Sequence, residues 1–299
     1  MISNNLEFVP AKTIITRTKS PSEWFGADYT MNLYRGCSHG CIYCDSRSDC
    51  YREVNFDTIK VKEDALRIVR DELRRKVKKG IIGTGAMSDP YNPLEKQLQL
   101  TRNALELINA FEFGVAISTK SALITRDIDI LKDIQTHSPV IVKLTITCTD
   151  DAIASKIEPN VSLPSERFAA LKELSDAGIF CGVLAMPILP FICDTEENMI
   201  DLVKRTKEAG GKFVFPSMGM TLRSGNREYY YEKLDELFPQ LKQKYEKTYG
   251  TKYYCSSVKA KNLRNVFVNQ CKEHGMLYNM KSIIETYQYG YDNMQLSFF

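Results

Sequence analysis

A chain of 299 residues, 43% hydrophobic and 26% charged, is long enough to bury one large core and has an ordinary globular composition. Its 40 basic and 37 acidic residues leave a formal charge of +3, too slight to single out a nucleic-acid or membrane partner. No apolar run reaches the ~18 residues that cross a bilayer, and Met1 to Asn5 lack the pattern of a secretory signal, so a cytoplasmic protein without a membrane anchor is expected.

In chain order, Thr30 to Tyr34 reads as a short strand running into a cysteine-rich loop. Val61 to Lys78 carries apolar Val61, Ala65, Leu66, Val69, Leu73 and Val77 at helical spacing. Strands are then predicted at Ile81–Ala86, Phe113–Ser118, Val140–Thr147, Ile179–Ala185 and Lys212–Pro216. Helices are predicted at Thr101–Phe111, Asp127–Thr136, Ser165–Ala177 and Thr195–Ala209. Ser165 suits a helix start, and Gly178 and Gly210 suit helix ends. Glu228 to Tyr249 is helical with a break at Pro239. Lys259 to His274 adds a helix, and a polar, aromatic tail follows.

Six strands, each followed by a helix, predict a parallel sheet wrapped by helices. With right-handed crossovers this is an α/β partial (β/α)6 TIM-like barrel over residues 1–249. Residues 250–299 form a C-terminal helical extension. Ligands of such folds bind at the carboxyl ends of the strands. The chemically active residues fall there: Cys37, Cys41 and Cys44 after the first strand, Ser88 and Asp89 after the second, Thr119 and Lys120 after the third. Thr145, Thr147 and Cys148 end the fourth, Pro187 follows the fifth and Ser217 the sixth.

Nine cysteines are too many and too unevenly spread for a disulfide framework, since three crowd between 37 and 44. Their spacing is C-x3-C-x2-C, within a loop spanning 35–47. Three thiolates can hold three irons of a cubane and leave the fourth open to a small chelating ligand. Gly36 and Gly40 let the backbone turn tightly around the sulfurs. Two other readings stand beside this one. His39 could complete a zinc site, although paired knuckles are the usual zinc arrangement. Cys41-x-x-Cys44 could be a redox dithiol, which leaves Cys37 without a role.

C-x3-C-x2-C with aromatic Tyr43 before the last cysteine resembles the signature of radical S-adenosylmethionine (SAM) enzymes. Asn32-Leu33-Tyr34-Arg35-Gly36-Cys37 and the loop after it resemble the spore photoproduct lyase-like group, also called DNA repair photolyase-like. So do Ser88-Asp89-Pro90-Tyr91-Asn92-Pro93-Leu94-Glu95, Ser118-Thr119-Lys120-Ser121, the stretch around Glu158-Pro159, and the ending Gln295-Leu296-Ser297-Phe298-Phe299. The resemblance implies a [4Fe-4S] cluster on Cys37, Cys41 and Cys44 and SAM as second cofactor. It implies reductive cleavage of SAM to a 5′-deoxyadenosyl radical, which abstracts hydrogen from an unidentified substrate. An external electron donor of flavodoxin or ferredoxin type is then required. Nucleic acid is one candidate substrate class, with lesion repair of the spore photoproduct type as an alternative function. A zinc- or cluster-binding interaction protein without turnover is another.

The resemblance also implies roles. Lys120 would meet the methionyl carboxylate, Ser88 and Asp89 the amino group, Thr145 and Thr147 the ribose, and Tyr43 and Pro187 the adenine. Asp45 stands where many relatives carry Tyr. Lesion repair of this type needs a cysteine that returns hydrogen to the product, and Cys148 and Cys193 are the candidates, with Cys50 next. Cys181, inside a strand, reads as core. The basic helix carrying Arg67, Arg70, Arg74 and Arg75 reads as a solvated outer face, and the tyrosines from Tyr229 to Tyr254 as helix packing.

Overall fold

A computed structural model describes residues 6–291. The motif at 295–299 lies outside the described residues. Strands β1 (Glu7–Val9) and β2 (Ile15–Arg17) open the chain. β3 (Tyr29–Met31) and β4 (Tyr34–Arg35) lead into the cysteine loop, and β5 (Lys60–Lys62) leaves it. The alternating units follow: α1 (Ala65–Arg75), β6 (Ile81–Thr84), α2 (Glu95–Leu98), α3 (Leu100–Ala110), β7 (Gly114–Thr119), α4 (Ile128–Gln135), β8 (Val140–Thr145), α5 (Asp151–Ile157), α6 (Pro164–Asp176), β9 (Cys181–Ala185), α7 (Glu196–Glu208) and β10 (Phe213–Pro216).

The main sheet has the order β10-β9-β8-β7-β6-β3-β2. β3 and β6 to β10 run parallel, and β2 pairs antiparallel on the outer edge of β3. This is the six-unit, unclosed barrel expected from the alternation. Its two faces follow the period of two. Val115, Ile117, Val142, Leu144, Val183 and Val214 pack with the helices. Ile81, Ala116, Ile141, Leu184 and Phe213 face the other way and share an apolar cluster with Phe25, Ile283 and Tyr287. That inner face is closed by the segment carrying Trp24 and Phe25 and by α11 (Met280–Gln288). Phe25 meets Phe213 and Phe215 at ring-centroid distances of 5.9 and 5.5 Å. Tyr287 donates to the Phe25 carbonyl.

Three local expectations change. Val61 does not open a helix. Lys60-Val61-Lys62 alternates half-buried and buried positions and pairs with β1 and β4, and α1 begins only after Asp64 turns through φ +53°. Thr30 to Tyr34 is two strands in two sheets rather than one. The β8 strand stops at Thr145, short of Thr147. The break near Pro239 is present, with α8 (Asn226–Leu237) and α9 (Leu241–Tyr249) on either side of it. Beyond residue 250, β12 (Tyr254–Ser256) pairs with β11 (Gly219–Thr221), and α10 (Ala260–Glu273) packs on α7. Among the described residues, no helix is long and apolar enough to cross a membrane.

One inward residue of β8 is charged in type. Lys143 is 1% exposed, donates to the Ala116 carbonyl at 3.2 Å and lies 4.6 Å from the Phe25 ring centroid. Burial lowers its pKa to about 7. The unfolded chain therefore holds more protons than the folded one between about pH 7 and the ordinary lysine value of ~10.4. Stability should rise with pH through that window, as the cost of giving up the proton that the unfolded lysine still holds declines. Lys143→Met should raise Tm at pH 7 and flatten the rise toward pH 9.5. A lower Tm at pH 7 would mean that the ammonium is needed where it is.

Candidate active site

The cysteine loop is held by its backbone. Cys37 N–H donates to Phe56 O at 2.7 Å, Ile42 N–H to Ile157 O at 3.0 Å, and Cys44 N–H to Cys41 O at 3.2 Å. Asn160 fastens the middle of the loop, its N–H to His39 O at 3.2 Å and its side chain to Ser38 O at 3.0 Å. Gly36 sits at φ +75°, and a Cβ there would come within 2.2 Å of Thr58 O. A side chain at this position would push the loop off its support. Gly36→Ala should therefore cut bound iron by more than half while the fold, read by circular dichroism, persists. Unchanged iron would show that the loop does not rely on this turn.

Burial pushes the Cys37 thiol up to about 11 and raises the buried Cys41 thiol well above its ordinary value. Cys41 feels the charges of Cys37 and Cys44, and Cys37 that of Cys44. Lys120 and Arg167 supply positive charge there. Burial works against the Lys120 ammonium, but Cys41 and Glu158 outweigh it and raise its pKa. Lys120 Nζ lies 5.7 Å from the Tyr43 ring centroid and has no hydrogen-bond or ion-pair acceptor among the described residues.

Beneath the loop runs a buried polar chain. The Tyr43 hydroxyl donates to Glu158 and lies 3.2 Å from Thr147 Oγ1. Glu158 Oε2 is 2.7 Å from Arg167 Nη2, both side chains at most 1% exposed. Arg167 continues to Thr145 O and Ser162 O, each at 2.7 Å. Burial favours the neutral carboxyl, yet Arg167 and Lys120 outweigh it and hold the Glu158 pKa low. Arg167 was readable as unusual. It lies on the helix face of Pro164, Phe168, Leu171 and Leu174, where a cation is out of place unless it has a partner.

Several predicted residues are already engaged by the protein. Ser88 Oγ donates to Gly36 O at 2.6 Å, so it braces the cysteine loop. Asp89 accepts from Tyr91 N–H at 2.9 Å, Thr119 Oγ1 at 2.6 Å and Lys120 N–H at 2.8 Å. It ties the ends of β6 and β7 together. Buried His39 faces it, Nδ1 to Oδ2 at 3.7 Å. Pro187 follows β9, and Ile188 N–H beside it donates to Ser217 O at 2.8 Å. Cys148 and Cys193 are buried side by side in the main apolar cluster. The Cys193 sulfur lies 3.1 Å from Leu189 N and 3.8 Å from Leu189 O, the setting of a packed core thiol. Burial pushes the Cys148 thiol up to about 11. Cys50 is exposed, 3.2 Å from Arg223 Nη1. Among the described residues, no three His, Cys, Asp or Glu side chains converge tightly enough to share a single ion.

Residues 31–203, which carry the cysteine loop and the β6 to β9 rim, match the Radical SAM superfamily. The chain belongs to that superfamily. An uncharacterized protein of Mycobacterium tuberculosis strain H37Rv is 30% identical to this radical SAM chain over 230 residues, 74% of this chain and 67% of the relative. An uncharacterized protein of Methanocaldococcus jannaschii is 36% identical over 191 residues, 63% and 69% of the two chains. Spore photoproduct lyase complexed with dinucleoside spore photoproduct superposes with a TM-score of 0.64 at 16% identity, covering 91% of this chain and 81% of that one. The radical SAM chain thus has the fold of that lyase, a partial barrel with C-terminal helices.

Proposed function

We propose that the chain is a radical SAM enzyme whose cluster is held by Cys37, Cys41 and Cys44. The residues fit the group. Three thiols share one turn, and glycine turns keep backbone close to them. Two buried or part-buried cations offset the charge of a thiolate cluster. One zinc requires every thiolate about 2.3 Å from a single point, whereas a cubane spreads three thiolates over three irons. Among the described residues, no three His, Cys, Asp or Glu groups are set to hold a single ion, which favours the cubane over one zinc. When bound, the cluster and SAM on its fourth iron supply one-electron cleavage of the sulfonium and a carbon radical that takes hydrogen from a substrate.

The observation that carries this reading is Lys120: an ammonium beside the cysteine loop with no protein acceptor, suited to a carboxylate such as the methionyl one. Ser88 and Asp89 act by shaping the loop and the Thr119-Lys120 turn. Tyr43, Thr145, Thr147 and Pro187 line the strand ends where the nucleoside would lie. The electron comes from an external donor of flavodoxin or ferredoxin type. Anaerobically reconstituted protein should bind about four irons per chain and form 5′-deoxyadenosine after reduction with dithionite. Zinc retention without 5′-deoxyadenosine would replace this reading with a binding role.

The fold shared with spore photoproduct lyase favours a second, narrower reading, lesion reversal on a thymine dimer. Incubation with dinucleoside spore photoproduct, SAM and reductant tests it by thymidine release. With Cys148 and Cys193 both packed in the core, a hydrogen donor for that reaction would have to be found elsewhere.

A further inference from the structure

A pocket of about 300 Å³ opens beside the cysteine loop, between the ends of β3 and β6 and the small sheet of β1, β5 and β4. Gly36 and Ser88, which brace the loop, form part of its wall, as does Asn32 just after β3. The charges around it do not balance. Arg35 and Lys60 stand directly opposite each other across β4 and β5, an arrangement that repels. Glu53 lies between them, accepting from Arg35 and from Lys60 Nζ at 2.9 Å. Lys60 also donates to Val54 O at 2.6 Å. Lys62, one residue pair further on and in the pocket wall, has no acceptor among the described residues. Part-burial and Arg35 disfavour its ammonium, and Glu72 nearby works the other way. Glu53 also lines the pocket, its carboxylate taken up by Arg35 and Lys60, with the Ser46 and Ser88 hydroxyls and the apolar or aromatic Tyr34, Tyr51, Phe56 and Met87. Arg47 lies 5.0 Å from the Phe56 ring centroid and is paired to Asp57 at 2.6 and 2.8 Å, which fixes the ring.

We infer that this pocket binds the anionic group of the substrate, a phosphate or carboxylate attached to an apolar or aromatic body. Lys62, with Arg35 beside it, receives the anion, the Asn32 amide offers a further donor, and Phe56 and Tyr51 flank the body. The inference rests on the proposed radical SAM reading, for which it names a substrate class. The pocket shares its wall with the cysteine loop, so a molecule anchored there is held beside the radical source.

Reconstituted protein is titrated with phenyl phosphate, benzoate and neutral phenol, with binding read by calorimetry. At least one anionic probe should bind ten-fold or more tightly than phenol, and the stronger of the two identifies the head group. Lys62→Gln should erase at least most of that preference, and Arg35→Gln should weaken it independently. Equal binding of phenol and both anions, or a preference unchanged in both variants, overturns the inference. Iron in the same wild-type preparation is measured separately. Iron without anion preference removes the pocket and leaves the enzyme reading standing, whereas anion preference without iron does the reverse.

Discussion

Cys41→Ala should leave a folded chain that retains less than about one iron against the about four that the proposed cluster gives the wild type, with 5′-deoxyadenosine formation at background. Cys41 is the most enclosed of the three loop cysteines, and its thiol feels the Lys120 cation and the other two cysteines as near charges. Truncating a cysteine to alanine in a core removes one sulfur and costs about 1 kcal/mol, so loss of folding is not the expected cause. Cys181→Ala is the matched control. Cys181 is equally buried, inside β9, and bonds only weakly to Leu171 O at 3.6 Å. It should keep full iron. Equal iron in Cys41→Ala and wild type would remove the loop from cluster binding.

Glu158→Ala should cost roughly 3–5 kcal/mol and lower Tm by several degrees, because it leaves Arg167 charged, buried and without its carboxylate. The loss should extend to the site. Glu158 is also the acceptor for Tyr43, two residues from Cys41, so the polar tie between cysteine loop and strand ends is cut. Glu158→Gln should keep the Tyr43 contact but not the charge, and should fall between wild type and alanine. The pH dependence has a definite sign. The folded carboxyl titrates below its ordinary range, so its contribution is present above the unfolded value near ~4.3 and is lost as pH falls through the folded value. The alanine variant should lack that part of the acid limb. A Tm within one degree of wild type at pH 7, read by calorimetry, would show that the ion pair is not holding the loop.

The alternation of strands and helices was legible because a parallel barrel buries its strands on both faces, leaving short continuous apolar runs such as Val140 to Val142 between amphipathic helices. The rim was legible for the same reason, since strand ends follow from strand positions. The cysteine loop was legible from spacing alone. Elements that depend on distant pairing were not. β1, β4 and β5 are two or three residues long and form a sheet only because Val61 and its charged neighbours find partners elsewhere in the chain. The inward plug of Phe25 and α11 joins residues more than 250 positions apart. In the site, the sequence marks which residues stand at the rim but not which of their polar atoms are already satisfied. Asp89 and Ser88 look like ligand contacts until their protein partners are known, and the apolar face marks Arg167 as out of place without naming Glu158 as its partner.

The account stands most directly on the fourth iron being open to SAM. Electron-nuclear double resonance on the reduced, reconstituted wild-type protein, with SAM labelled by nitrogen-15 at the amino group and oxygen-17 at the carboxylate, reads this contact. The account predicts hyperfine coupling from both labels to the cluster, and its loss in Cys41→Ala together with the cluster signal. A four-iron spectrum that SAM leaves unchanged, with neither label coupled, would contradict it.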